Sequence, residues 1–499
     1  MNPTVLLCLD GGDFRVVREL VETGRMPATA ALLERSALVH TDTCSRIIEP
    51  AAWGPLLSGQ PAGDVGFHNF EEFDPATMGT RFQQELVAEP LWLHLPGRGA
   101  GTITLDLPDC HPHPASAAAE ACCWHAASPA HKPQFTETGL RSRLRSQGRP
   151  PQLTTHPPAL GPEHERQLGN LLTRSARFRA RTIQRVGLSR PLTCVGVHEL
   201  HAAVHGLGHH GPDRHWFEPE RRDPEHLARA YEAIDEVVAA VASQGEAMNV
   251  VLVLVRGGRP ANHAGQLLEG LLERAGLLAR PGANGDGPAA AVPVTERLRS
   301  LLPDRQREQL AMRLLPRSVQ HRMASRRFRD RYDWQRTRAF PVPSWAEGFV
   351  RINLAGREAA GIVPPDEVDG LLNQVSALVR ETVDADTGQP LAREIFRARD
   401  RFPGANADRF PDLIITWAGE RPANEARHPR LGTWSEPPRA KLWTEHRGEA
   451  EVIFAGPQIR AGVELSGDEL GLAPTVLALL GHKPPSTMSG TPWSDVIAS

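Results

Sequence analysis

The sequence lacks the features that mark membrane, secreted and nucleic-acid-binding proteins. Its 499 residues contain no apolar run of about 18 residues, which is the length that a membrane-spanning helix needs. The chain begins with a strand pattern and has no basic segment before it, so we expect no signal peptide. The net charge is only −3, and nothing indicates a basic surface for nucleic acid or lipid. We therefore expect a cytoplasmic protein that binds neither nucleic acid nor membranes, and its oligomeric state stays open.

Cysteine is also scarce, with six residues in the whole chain. The cysteines are scattered, and their spacing fits neither a disulfide framework nor a paired zinc-binding motif. Some of them lie near histidines in one stretch, but the spacing there matches no known metal motif, and we expect no metal at Cys110, His111, His113, Cys122, Cys123 and His125.

Histidine, in contrast, is abundant, with 21 residues that cluster along the chain. The most informative cluster follows a predicted strand at 191–197 and contains Glu199, His201 and His205. Because His201 and His205 are four residues apart, a helix would place both imidazoles on one face, as metal sites require. The same spacing also arises by chance in a histidine-rich chain. We interpret the next histidines, His209, His210 and His215, as lid or surface residues.

Two apolar runs end in charged residues. The run at 4–9 is followed by Asp10, and the run at 249–255 is followed by Arg256. Both runs are typical of buried strands, and the carboxyl ends of such strands are where α/β proteins bind ligands. Asp10 is thus a candidate site residue or a solvated turn residue. Arg256 is a permanent cation, and it either faces the site or lies exposed at a strand end.

A third candidate, Glu49, precedes a predicted helix. Pro50 suits the first turn of a helix, and Trp53, Leu56 and Leu57 form one apolar helical face. Glu49 therefore lies at a helix N-terminus, where backbone N–H groups attract anions. That position suits either a nucleophile or an ordinary capping carboxylate.

This segment resembles the nucleophile segment of the alkaline phosphatase superfamily, in the branch of type I phosphodiesterases and nucleotide pyrophosphatases. The positions that match are Pro50, Ala51, Ala52, Trp53, Leu57, Ser58 and Gly59. Where that branch has a nucleophilic Thr or Ser, this chain has Glu49. Further runs at 353–358 and 472–492 are also similar, and the resemblance covers 1–108 and 191–499.

The resemblance implies one α/β domain over residues 1–499. We expect an alkaline-phosphatase-like central sheet, mostly parallel, with helices on both faces. Residues 109–190 would form a variable insertion or lid, and residues 262–345 a helical insertion or crossover.

The resemblance also implies a metal site. Carried over by position, the ligands of the first metal are His201, His205 and His446, and three imidazoles with an open fourth position suit a catalytic zinc ion. Of the ligands of the second metal in that branch, only Asp10 is retained. Glu49 stands at the position of the nucleophilic hydroxyl, so Asp10 and Glu49 are both candidate ligands. Val255 and Arg256 replace the other ligands. We therefore expect a single ion, Zn²⁺ or else Mn²⁺ or Fe²⁺, with Arg256 replacing the charge of the missing one.

The implied function is a metal-dependent hydrolase of phosphodiesterase type that acts on a small anionic ester. In this hypothesis an activated water is the nucleophile, and Asp10, Glu49 and Arg256 are the catalytic residues, with Glu49 as a fourth metal ligand or a general base. The alternative is an inactive or repurposed relative, with non-phosphoryl chemistry or a role in binding a ligand or partner in a biosynthetic pathway. The substitutions favour the alternative, and the retained histidines favour the hydrolase.

Overall fold

The structure is a computed structural model, and it describes residues 2–83, 88–127, 132–154, 161–213, 224–245, 247–282, 316–419, 421–436 and 444–498. The longer helices are Phe14–Glu22, Pro27–Leu33, Trp53–Ser58, Thr138–Arg145, Pro162–Val186, Glu199–Leu207, Pro224–Ala242, Leu267–Arg274, Arg317–Arg329, Val368–Glu381 and Leu472–Leu479. None of the helices in these residues is both long and apolar enough to cross a bilayer.

A nine-stranded sheet forms the centre of the described structure. From one edge to the other, its strands are Glu464–Ser466, Ser36–Asp42, Glu449–Ala455, Asn249–Val255, Thr4–Asp10, Leu192–Val197, Ile103–Leu105, Ala119–Cys122 and Gln134–Phe135. The strands from Asn249–Val255 to Ala119–Cys122 are parallel to one another, while Glu449–Ala455 pairs antiparallel with both of its neighbours. The expectation of a mostly parallel central sheet is confirmed.

The central strand, Thr4–Asp10, is buried on both faces of this sheet. Its alternate residues belong to two different hydrophobic clusters, with Val5 and Leu7 in one and Leu6 and Cys8 in the other. The first cluster includes residues of the helices Pro162–Val186 and Pro224–Ala242, and the second includes residues of Trp53–Ser58 and Leu472–Leu479. Helices therefore cover both faces, which explains why this strand is a continuous apolar run.

A second, antiparallel sheet has its own hydrophobic core. Its strands are Ala339–Pro341, Gly348–Ile352, Leu413–Trp417 and Ala392–Arg397. The expected helical insertion at 262–345 contains the helices Leu267–Arg274 and Arg317–Arg329 but ends in a strand of this sheet. Residues 283–315 lie outside the described part of the chain.

The remaining described strands form smaller sheets. They are Glu71–Asp74 with Gly79–Phe82, Ala126–Ala127 with Leu153–Thr154, Gly258–Pro260 with Thr444–His446, and Glu425–His428 with both Val383–Asp384 and Gly432–Ser435.

Residues 109–190, which we expected to form a variable insertion or lid, contribute described elements to the central sheet and its core. Their status as an insertion stays a prediction. Two strands of this segment, Ala119–Cys122 and Gln134–Phe135, extend the central sheet at one edge. Its long helix, Pro162–Val186, buries Leu172 and Ile183 in the same cluster as the central strand. The described part of the segment therefore belongs to the main core.

Candidate metal centre

Three histidines from distant parts of the sequence converge at the carboxyl edge of the central strands. His201 and His205 lie on the helix Glu199–Leu207, and His446 ends the short strand Thr444–His446. The ring centroids are 4.9 Å apart for His201 and His205, and 4.6 Å from each of these to His446. One ligand atom from each ring lies within 4.8 Å of the other two. These residues, the histidine triad, are 7 % exposed or less.

Hydrogen bonds orient two rings of the triad through their Nδ1 atoms. His205 Nδ1 lies 3.2 Å from the carbonyl oxygen of Thr444, and His446 Nδ1 lies 2.7 Å from that of Arg256. A carbonyl can only accept, so Nδ1 carries the proton in both rings, and the lone pair is on Nε2.

The chemistry of the triad fits a divalent metal ion. Burial, and then the charges of His201 and Arg256, hold the pKa of His446 well below its ordinary value, so its ring is neutral. Among the described residues, His446 Nε2 is buried without a hydrogen-bond partner, and metals bind such neutral imidazole nitrogens.

Two glycines allow the helix of the triad to pack closely. Gly11 has a φ of +81°, and a Cβ there would lie 2.6 Å from the backbone of His201. At Gly208, a Cβ would lie 2.6 Å from Thr444 Oγ1. Larger side chains at these positions would push the helix away from the strand end and from the segment of His446.

Asp10 lies beside the triad and forms a buried ion pair. Its Oδ1 accepts hydrogen bonds from Arg256 Nε at 3.0 Å and Nη2 at 2.5 Å, and from Trp53 Nε1 at 3.1 Å. Its Oδ2 lies 3.0 Å from His201 Nδ1. Burial opposes ionisation, but Arg256 and His201 outweigh it and hold the pKa of Asp10 well below its usual value.

Arg256 reaches Asp10 from an unusual backbone conformation. Its φ is +65°, a left-handed value that is uncommon for a residue with a side chain. The turn follows the strand Asn249–Val255 directly. Besides its bonds to Asp10, Arg256 donates from Nη1 to the carbonyl oxygen of Glu49 at 3.2 Å. The guanidinium therefore connects two of the predicted site residues.

Glu49 lies near His446, among buried carboxylates. It begins the turn Glu49–Ala51, just before the helix Trp53–Ser58, and its Oε1 is 3.9 Å from His446 Nε2. Its backbone N–H donates to the carboxylate of Glu347. Burial, and then Glu347 and Glu445, raise the pKa of Glu49 well above its ordinary value. Glu445 is paired with Arg259 at 2.9 Å.

Glu199, which belongs to the same cluster in the sequence, lies outside the triad and holds the start of its helix. Both carboxylate oxygens accept from Arg179 Nε at 3.1 Å, and Ser175 Oγ donates to Oε1 at 2.8 Å. Burial opposes its ionisation, but Arg179 and His125 outweigh burial and lower the pKa of Glu199 to about 2. The start of the triad helix is thereby tied to the long helix Pro162–Val186.

The structure thus brings the predicted residues into one region but gives them different positions. The triad residues contact one another, while Asp10, Glu49 and Arg256 surround them. Metal binding by Asp10 and Glu49 stays a prediction. Sequence reasoning missed Glu347 and Arg179, since neither lies in a motif and each reaches the site from a remote segment.

The predictions for the histidines that follow the triad helix have different outcomes. His209 and His210 are each 1 % exposed, so the interpretation as lid or surface residues is wrong, because both rings face the carboxylate of Glu165. His215 lies outside the described residues. The stretch from Cys110 to His125 forms no group of metal-binding geometry among the described residues.

Comparisons with known proteins find similarity in structure but no match by sequence. No family model and no curated protein matches the sequence. A human ectonucleotide pyrophosphatase/phosphodiesterase 5 superposes over 100 % of both chains with a TM-score of 0.50 and 11 % identity. A phosphonoacetate hydrolase from Sinorhizobium meliloti, solved with phosphonoformate, covers 96 % of both chains with a TM-score of 0.49 and 12 % identity. The similarity to the phosphodiesterase 5 shows that the chain has an alkaline-phosphatase-like fold.

Proposed function

We propose that this protein is a metal-dependent hydrolase of a small anionic ester, a phosphodiester or phosphonate ester. The observation that carries the proposal is the convergence of the buried histidine triad at the carboxyl edge of the central sheet. The triad would hold a single divalent ion, of which Zn²⁺ suits three neutral imidazoles best, with Mn²⁺ or Fe²⁺ as the other choices. When bound, such an ion acts as a Lewis acid that lowers the pKa of water and polarises an ester oxygen.

In this proposal Glu49 is the general base. Its carboxylate oxygen lies 3.9 Å from His446 Nε2, so a water between the triad and Glu49 would be within its reach. Oε1 would take the proton from that water as it attacks the ester. A carboxylate at this position cannot repeat the role of a hydroxyl nucleophile, and we therefore assign the attack to water.

Arg256 and Asp10 would supply fixed charge in place of a second ion. The guanidinium is held by Asp10 and by the carbonyl of Glu49, and it cannot lose its proton. It neutralises the buried carboxylate that a second ion would otherwise bind. It also keeps a cation at the edge of the site, where a substrate anion would approach.

A second candidate function is ligand binding without hydrolysis. Two observations favour it. Arg256 already donates hydrogen bonds to Asp10 and to the carbonyl oxygen of Glu49. The backbone N–H of Glu49 already donates to the carboxylate of Glu347. That N–H would otherwise be available to an anion at this turn. Such a protein would bind the same metal but release its ligand unchanged.

The test combines metal content with turnover on a panel of phosphodiesters and phosphonate esters. We expect the parent protein to contain one ion at the triad and to hydrolyse a member of the panel. His446→Ala should lose that ion and reduce turnover more than about 100-fold. Glu49→Gln should keep the ion and lose about 100-fold or more, the usual size of a general-base contribution. His40→Ala is the control for a surface histidine, because the His40 side chain is 39 % exposed and pairs with Glu464.

The outcomes separate the two functions. If the parent protein binds the ion but hydrolyses no ester in the panel, the ligand-binding function is favoured. If Glu49→Gln and Glu49→Ala leave metal content and turnover unchanged, the role of Glu49 is wrong. A parent protein without bound metal after exposure to Zn²⁺, Mn²⁺ and Fe²⁺ would contradict both candidates.

A further inference from the structure

A second group of metal-binding side chains lies apart from the histidine triad. His209 and His210 form the short turn Gly208–His210, directly after the triad helix, and Glu165 lies in the first turns of the helix Pro162–Val186. His209 Nε2 is 3.2 Å from Glu165 Oε1, and His210 Nε2 is 3.2 Å from Glu165 Oε2. One ligand atom from each of the three residues lies within 4.8 Å of the other two. We call this group the Glu165 cluster.

Burial makes the Glu165 cluster unusual for polar side chains. The side chains of His209 and His210 are 2 % and 1 % exposed, and that of Glu165 is 13 % exposed. The two imidazole centroids are only 3.9 Å apart. Two imidazoles beside one carboxylate are a donor set that Zn²⁺ binds.

The position of the cluster gives a bound ion a structural consequence. Glu165 belongs to a helix that packs on the central sheet, and the two histidines belong to the turn that ends the triad helix. An ion shared by the three side chains would join these two elements. It would also fix the end of the helix that carries His201 and His205, since His209 follows His205 by four residues.

We propose that Glu165, His209 and His210 form a second, structural zinc site. The site goes beyond the proposed hydrolase and uses none of its residues. A further imidazole, that of His226, lies with its ring centroid 6.4 Å from that of His210. The simpler arrangement is an ion pair and hydrogen bond without metal, in which Glu165 accepts from His210. The two arrangements differ in the number of ions that the protein binds.

The experiment measures zinc per chain by mass spectrometry after loading with Zn²⁺ and desalting. The variants are Glu165→Gln and His210→Gln, which keep polar groups of similar size, and each should contain one zinc ion fewer than the parent. Glu163→Gln is the matched control on the same helix, because Glu163 is exposed and pairs with Arg166. It should contain as much zinc as the parent.

His446→Ala separates this proposal from the proposed function. That variant should lose the ion of the triad and keep the ion of the Glu165 cluster, while the combination with Glu165→Gln should lose both. Loss of zinc only in His446→Ala would overturn the second site and leave the proposed function intact. Loss of zinc only in Glu165→Gln would support the second site and contradict the proposed metal site at the triad.

Crystals of the zinc-loaded parent protein provide a measurement that needs no variant. Anomalous scattering at the zinc edge should give a peak between Glu165, His209 and His210. If the variants fail to fold, this measurement alone decides: no peak at that position overturns the proposal, whatever is found at the triad.

Discussion

At the scale of single residues, Arg256 and Asp10 form a buried ion pair beside the triad. Both side chains are 4 % exposed or less and form two hydrogen bonds. A buried ion pair is weak support for stability in itself, but removing one partner leaves an uncompensated charge. The guanidinium also differs from a lysine, since its planar group can contact Asp10 and the carbonyl of Glu49 together.

Removing the arginine should therefore destabilise the protein through the carboxylate that it leaves behind. We expect Arg256→Met to lower the free energy of unfolding by about 3–5 kcal/mol. The double variant Asp10→Asn with Arg256→Met should recover part of this loss, because no charge remains buried. Urea unfolding of the parent, both single variants and the double variant measures the coupling. Additive effects of the two substitutions would show that the pair is not coupled.

At the scale of elements, the site depends on how closely the triad helix approaches the central strand. Gly11 follows Asp10 and lies against the backbone of His201. The contact places the first turn of the helix Glu199–Leu207 next to the strand end, while Glu199 ties the same turn to Arg179. The helix is thus fixed from two sides, and small displacements would separate the imidazoles.

Gly11→Ala tests this approach, and Gly24→Ala is its control. Gly11 and Gly24 have similar backbones, with φ of +81° and +73°, but a Cβ at Gly24 meets nothing within 4 Å. The backbone strain alone costs roughly 1–2 kcal/mol in both variants. Gly11→Ala should cost about 1–3 kcal/mol more because of overpacking, and it should lower metal content at the triad. Equal losses of stability in the two variants would contradict the proposed contact.

At the scale of the whole molecule, the site lies where the central sheet meets the second, antiparallel sheet. The triad comes from segments at the edge of the central sheet, while Glu347 directly precedes the strand Gly348–Ile352 of the second sheet and accepts from Glu49. His68 belongs to the same junction. Its ring is 6.0 Å from that of Phe349 and 5.2 Å from that of Phe410.

The burial of His68 predicts a pH dependence of stability. Burial, followed by the charges of Arg409, Arg351 and Arg81, lowers its pKa to about 3, while the pKa in the unfolded chain is about 6.5. Between about pH 6.5 and about pH 3, the unfolded chain binds a proton at His68 that the folded protein does not bind. The free energy of unfolding therefore decreases as the pH falls through this range.

His68→Phe removes this titration and keeps an aromatic ring in the junction. Between about pH 4 and pH 6, the free energy of unfolding of the parent should change more steeply than that of the variant, by up to about 1.4 kcal/mol per pH unit. Urea unfolding at several pH values measures both slopes. Equal slopes in the parent and variant would mean that His68 is protonated in the folded protein or does not titrate in this range.

The sequence by itself determined the mostly parallel central sheet and the candidate members of the triad. Continuous apolar runs predicted buried strands with Asp10 and Arg256 at their ends, and the four-residue spacing placed His201 and His205 on one helical face. Local periodicity carries this information because it reflects which sides of an element are buried. The similarity of the motifs, rather than spacing, added His446.

Only the tertiary structure decided which charges face one another. Glu347 and Glu49 are 298 residues apart in the sequence but contact each other, and Arg256 contacts Asp10 although 246 residues separate them. The sequence also did not predict that Glu165 pairs with His209 and His210, or that the described part of residues 109–190 belongs to the main core. Such contacts depend on how strands and helices pack, and no local pattern of residues records the partner that packing brings to a side chain.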